Sequence, residues 1–267
     1  MNKPLRILSL GWGIQSWTLA AMAALEEIPP VDYAIHADTT HEHVGTYEHA
    51  AKWTPWLEEH GVKVVTVRGR RTDVIQRWES STAGIMIPAY TAALTGKKGQ
   101  LARQCTRTWK VDPIRRIVSQ FLKAAGIPKR PGAVHSLQGI SLDEWRRMRP
   151  SDVKYIENIY PLVDMRITRA ACVAWLDRHE LDVPPKSSCV FCPYKSIESW
   201  KELKRVGGPD WDAAVEADNA VRPMRDNFPL FLHPGRKPLP EAISIPEDEG
   251  AHQLELDLPC DSGYCFT

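Results

Sequence analysis

The order of elements in the first 67 residues constrains this chain more than any other feature. "LRILSL" (5–10) is a short apolar run that ends at Gly11 and Gly13, and "QSWTLAAMAALEE" (15–27) continues it with helical character. "VDYAIHADT" (31–39) reads as a second strand, "GTYEHAAKWTPWLEEHG" (45–61) as a helix closed by glycine, and "VKVVTV" (62–67) as a third strand. Strands separated by whole helices pair in parallel, and a parallel sheet is covered by helices on both faces. The 267 residues suffice for one large α/β domain with appended pieces.

Farther along, 79–104 is rich in Gly, Ser, Thr and Lys and reads as a long loop over the sheet edge. A helix is expected from Val111 to Ala125, then the strand "AVHSLQGIS" (133–141). "YPLVDM" is a short apolar stretch leading to a helix from Thr168, its N-cap, to about His179. Two more helices are expected near 196–205 and 210–220, and from Pro223 a proline- and acid-rich extended tail. No internal repeat is visible.

Net charge is +1, so no global field argues for nucleic acid or membrane. No apolar run approaches the roughly 20 residues of a membrane span. The N-terminal apolar stretch runs into glycines rather than into a small-residue cleavage site, so a cytoplasmic protein is expected. Thiols stay reduced there, and six cysteines then point to metal binding or catalysis more than to disulfides. One local imbalance stands out: Lys97 to Arg116 holds seven Lys/Arg and a single acid, Asp112. It is either a solvated basic face or an anion site.

Several groups could carry chemistry. "SLGWGIQSW" (9–17) places glycines between a strand end and a helix N-terminus, where backbone N–H groups and the helix dipole favour an anion. Gln15 and Ser16 add side-chain donors. The pattern is neither G-x-G-x-x-G nor a Walker loop, and a plain glycine turn is the alternative. Asp38 and Thr39 stand at the carboxyl end of the next strand, placed to meet a base or ribose or simply to cap a turn. His36, His41 and His43 could suggest a metal, but read better as polar residues at a strand end. Cys105 lies in "RQCTRTWKVDPIRR", 84 residues before Cys189, which forms a C-x-x-C with Cys192 in "KSSCVFCPYKS". Four thiolates suit tetrahedral zinc or a [4Fe–4S] cluster, with Pro193 leaning toward the cluster. Cys172, in "ITRAACVAWL", is either a fourth ligand or a buried small hydrophobe. Cys260 and Cys265 close the chain in "PCDSGYCFT", as a thiol-bearing arm over a site or an idle end.

Taken in order, "SLGWGIQS", "HADTTHEHVGTY", "CTRTWKVDPIRR", "YPLVDMRITRAAC" and "SSCVFCP" resemble the phosphoadenosine phosphosulfate (PAPS) reductase family of the adenine nucleotide alpha-hydrolase-like superfamily. The resemblance covers about residues 5 to 205, which implies a nucleotide-binding domain over 1–205 and a helical extension with tail over 206–267. It implies a doubly wound, mostly parallel five-stranded sheet. Its glycine loop, here Ser9, Gly11, Gly13, Gln15 and Ser16, would hold phosphosulfate or polyphosphate, with Asp38 and Thr39 at the adenosine. Arg103, Arg107, Lys110, Arg115 and Arg116 would neutralise sulfate and phosphate oxygens. Cys105, Cys172, Cys189 and Cys192 would ligate a [4Fe–4S] cluster, zinc being the alternative.

The resemblance has departures. A single Cys105 stands where cluster-bearing reductases have an adjacent pair, and the tail lacks their Glu-Cys-Gly triplet and following His. Gly11 and Trp12 replace the first Ser and Gly of the pyrophosphatase loop, and no family pattern accounts for Trp12. The expected activity is reductive release of sulfite from a sulfonucleotide (PAPS or APS), with Cys265 as nucleophile, Cys260 as resolving thiol and a thiol reductant as partner. One alternative is an ATP-using sulfur-insertion enzyme that adenylates and thiolates a nucleic acid. The other is a non-catalytic nucleotide-binding module with structural zinc.

Overall fold

The computed structural model describes residues 3–77, 83–92, 98–225 and 228–243. The chain forms two compact units, one from Met1–Arg70 and Thr106–Ser187, the other from Arg71–Cys105 and the described residues after Ser187.

The first unit is built on five parallel strands: β1 (Leu5–Ser9), β2 (Tyr33–Asp38), β3 (Val64–Arg68), β4 (Val134–Leu137) and β5 (Ile156–Ile159). Their order is β3-β2-β1-β4-β5. Every neighbouring pair is parallel, with Leu8 opposite both Ala34 and Leu137. Alternation along β1 sends Leu5 and Ile7 to one face, Leu8 to the other. On the first face they meet Val118 and Leu122 of α3 (Asp112–Ala124). On the second, Leu8 and Leu10 pack with α1 (Ile14–Ala24), Leu57 of α2 (Val44–Glu59), and Trp175 and Leu176 of α4 (Arg169–Arg178). This is the doubly wound α/β fold.

Helix character follows burial. All eleven residues of α1 are buried, as its run of alanines between larger apolar residues allows. In α3, Ile114, Ile117, Val118, Phe121 and Leu122 recur at three- and four-residue intervals and face the sheet, the stripe of a half-buried helix. Thr168 caps α4, its hydroxyl accepting from the Ala171 N–H at 3.1 Å.

The fifth strand, "IENI", is the strand of this sheet that sequence periodicity did not disclose. It is a four-residue edge strand without a fully buried residue, and its apolar content is too low to stand out.

The second unit contains α5 (Ile197–Val206) and α6 (Gly208–Val221). The stretch expected as one long loop contributes three-residue strands at Ala83–Ile85, Tyr90–Ala92 and Lys98–Gln100, the first paired antiparallel with Ile75–Arg77. Nor is the chain after Pro223 simply extended. Leu230–Phe231 pairs antiparallel with Tyr90–Thr91, and Leu239–Ala242 is helical. Asp218 organises that return: its buried carboxylate accepts from Leu232 N–H (2.9 Å) and Leu239 N–H (3.2 Å) and pairs with Arg222. Among the described residues no helix is long and apolar enough to cross a membrane.

Candidate functional site

The chain leaves β3 on one side of β1 and re-enters the sheet at β4 on the other, so the topological switch lies between β1 and β4. In open α/β sheets the crevice at the carboxyl ends there is where ligands bind. Two turns meet in it. After β1 comes the loop Leu10–Gly13; after β4 come Gln138, Gly139 and Ser141.

The β1 loop is held from three sides. Gly11 N–H donates to Ser16 Oγ (3.2 Å), Ser16 Oγ donates to the Gly13 carbonyl (3.1 Å), and Ser187 Oγ donates to the Gly11 carbonyl (2.6 Å). Gly13 is the N-cap of α1 and offers no side-chain cap, and no acid sits in the first turn. The first N–H groups of α1 are therefore left to a ligand or solvent. The residue in the left-handed region is not a glycine but Trp12, at φ 57°. Its ring is buried, 5.9 Å from both Trp17 and His49. Burial of the indole offsets the left-handed penalty of about 1–2 kcal/mol, which accounts for a tryptophan at this position.

Gly139 is the glycine that the crevice requires. A Cβ there would stand 2.7 Å from Ser16 N and 2.9 Å from Ser16 Cα, whereas one on Gly13 would meet only Ser187 Cβ at 3.5 Å. Beside it the Gln138 amide donates from Nε2 to Ser136 Oγ (2.9 Å) and Ser9 Oγ (3.3 Å). Its Oε1 is buried without a hydrogen-bond partner. An unsatisfied buried carbonyl costs roughly 1–3 kcal/mol, so it is expected where a ligand supplies the partner.

Gln15, the second residue of α1, is clamped. Its Nε2 donates to Glu144 Oε2 (3.1 Å) and Ser141 Oγ (3.4 Å), and its Oε1 accepts from Arg169 Nη1 (3.3 Å). Arg147 in turn pairs with Glu144 at 2.6 Å. Arg169 stands in the first turn of α4, where the helix dipole disfavours a cation. Sequence reasoning missed Gln138, Ser141, Glu144, Arg147, Arg169 and Ser187. The one signal was the polar "QGIS" at a strand's carboxyl end.

Asp38 and Thr39 lie at the end of β2, already engaged. Asp38 accepts from Thr40 N–H (2.7 Å), Tyr47 Oη (3.0 Å) and Arg68 Nε (3.1 Å). Burial alone would raise its carboxyl, but the Arg68, Thr40 and Tyr47 hydrogen bonds outweigh it and hold the group below the usual range. Thr39 donates to Glu42 Oε1 (3.1 Å). His36 is buried with Nδ1 on the Leu10 carbonyl (3.1 Å), and burial lowers its imidazole.

Three basic side chains of the first unit are paired with carboxylates. Lys110 pairs with buried Glu42, Arg115 with Asp152, and Arg107 with Asp112 at 3.7 Å. Arg116 is exposed. Arg103 belongs to the second unit, its guanidinium 5.4 Å from the Tyr194 ring centre.

The cysteines divide between the units. Cys105, Cys189 and Cys192 belong to the second. Cys192 N–H donates to the Cys189 carbonyl (3.1 Å), closing a turn. Tyr194 lies near both Cys105 and Cys192: burial raises its hydroxyl, the Arg103 guanidinium opposes that, and the two thiols add to the rise. Cys172 lies in the first unit's core, fully buried, and burial pushes its thiol up to about 11. The thiolate is the ligand form, so this environment opposes metal binding. Among the described residues no three His, Cys, Asp or Glu are grouped to hold a metal ion. Cys260 and Cys265 lie outside the described residues.

A crystal structure of phosphoadenylyl-sulfate (PAPS) reductase from Candida auris, as a phosphate complex, aligns with a TM-score of 0.43 and 16% identity, over 68% of this chain and 76% of that one. No protein-family model and no curated protein matches the chain.

Proposed function

We propose that the first unit binds an adenine nucleotide at the β1–β4 crevice, and that the chain is a PAPS reductase-like enzyme acting on a sulfonucleotide. The observation that carries the reading is the uncapped N-terminus of α1 facing a switch point that also holds the unsatisfied Gln138 carbonyl. Phosphate or sulfate oxygens accept from the uncapped N–H groups at the N-terminus of α1, with Arg169 adding positive charge through its link to Gln15. The family motifs in the sequence supply the substrate class.

In the chemistry proposed, the Cys265 thiolate attacks the sulfur of the sulfonucleotide. The S–O bond to the nucleotide phosphate breaks, the nucleotide leaves, and the enzyme holds an S-sulfocysteine. A thiol, Cys260 or an external reductant, then attacks the Cys265 sulfur, forming a disulfide and expelling sulfite. A [4Fe–4S] cluster or zinc on Cys105, Cys189 and Cys192 remains part of the proposal, and no step passes through it.

Titration calorimetry with PAPS, APS and ATP tests binding. Sulfite release by the full chain and by a truncation ending at Pro259 tests the chemistry. Sulfite from the full chain and none from the truncation is expected. Persisting sulfite release rules out a tail nucleophile. ATP-dependent pyrophosphate release by both forms, without sulfite, replaces the reductase with the sulfur-insertion enzyme.

A further inference from the structure

We infer that the face formed by the Leu142–Arg147 turn and the Tyr160–Arg169 segment is a docking surface for single-stranded nucleic acid. The two segments are joined: Leu142 N–H donates to the Ile167 carbonyl (2.8 Å), and Arg169 N–H donates to Asp143 Oδ1 (2.9 Å). From them Trp145 projects with 54% of its surface exposed. A large flat ring left in water is costly, and this one belongs to a turn whose other side is fixed by Glu144 and Ser141 on Gln15.

One guanidinium lies against the ring and two more are exposed on the same segments. Arg146 lies 5.8 Å from its centre, and Arg149 and Arg166 are also exposed. Arg149 is held by its Nη1 to the carbonyls of Arg146 and Met148, both at 2.8 Å. Over 141–149 and 160–169 there are five arginines against three acids. Of those acids, Glu144 is buried against Arg147 and Asp143 is engaged by the Arg169 backbone.

One exposed ring among cations suits a stacked base with its phosphates on arginine. A protein partner would ask instead for a contiguous apolar centre, and only Trp145 and Met165 are large exposed apolar side chains here among the described residues. Ser141 and Glu144, in the same turn as Trp145, bond to Gln15 of α1, which ties this face to the β1–β4 side of the sheet. The inference stands on this surface and does not depend on the sulfonucleotide chemistry.

Fluorescence anisotropy with labelled single-stranded DNA and RNA of about twelve nucleotides tests it. The full chain should bind at about 50 mM salt, with affinity falling as salt rises. Trp145→Ala should weaken binding roughly tenfold. Arg146→Glu with Arg149→Glu should weaken it further and flatten the salt slope by roughly 0.7 for each phosphate that is no longer neutralised. Adenine mononucleotide binding should be the same in all variants, which separates this site from the crevice. No oligonucleotide binding, or binding that none of these substitutions changes, overturns the inference. So does self-association abolished by Trp145→Ala without oligonucleotide binding, which would make the face a protein interface.

Discussion

Lys110 and Glu42 form a buried ion pair, Nζ to Oε1 at 3.2 Å, that ties the π-helical turn Thr106–Val111 to the loop after β2. Burial alone would raise the Glu42 carboxyl, but the Lys110 ammonium beside it outweighs burial and holds it below the usual range. The stability this group contributes is therefore present above its unfolded pKa and lost as pH falls through the lower folded value. Removing the cation strands a buried carboxylate, so Lys110→Met should cost about 3–5 kcal/mol in urea unfolding at pH 7. Adding Glu42→Gln should restore most of it. A single-variant loss below about 1 kcal/mol would mean that solvent already screens the pair.

Gly139, not Gly13, should be the intolerant glycine. Alanine at 139 must displace the Ser16 backbone, whereas alanine at 13 meets Ser187 at an ordinary van der Waals distance. Gly139→Ala should destabilise by about 1–3 kcal/mol and abolish adenine nucleotide binding by calorimetry. Gly13→Ala should fold normally. Equal behaviour of the two variants would contradict the close approach of the turns.

His49 should give the fold an acid-sensitive step. Burial pushes its imidazole down to about 4, from an ordinary 6.5, and its Nε2 has no hydrogen-bond partner among tryptophan rings. The unfolded chain then binds more protons at this group than the folded one, so the contribution of neutral His49 is full above pH 6.5 and falls between there and 4. The loss is on the order of 3 kcal/mol. His49→Phe should flatten this part of the profile in urea midpoints taken across the range. An unchanged slope would place the titration elsewhere.

Metal content separates the cysteines. After anaerobic purification, Cys172→Ala should keep the iron, sulfide or zinc content of the parent and lose about 1–2 kcal/mol from core packing. Cys105→Ala should lose the metal. A parent protein without metal ends the cluster proposal, and metal loss in a folded Cys172→Ala protein would put that thiol among the ligands.

What the sequence by itself determined is local. Strand–glycine–helix order, the periodicity of 114–122 and the Thr168 cap specify most elements, because burial and capping act over a few residues. Parallel pairing follows from the helices between strands. What only the tertiary structure decided depends on residues far apart in the chain. "IENI" is a strand because its backbone pairs with β4, not because of its own apolar content. Lys110 reads as an anion ligand until Glu42, 68 residues away, takes its charge. Cys172 reads equally as a ligand or a buried hydrophobe until the core closes around it and raises its thiol. Gln138 and Gly139 gain a role when β4 comes to lie beside β1 and sets them against Ser9 and Ser16. A side chain's chemistry depends on its solvent exposure and charged neighbours, and chain folding fixes both.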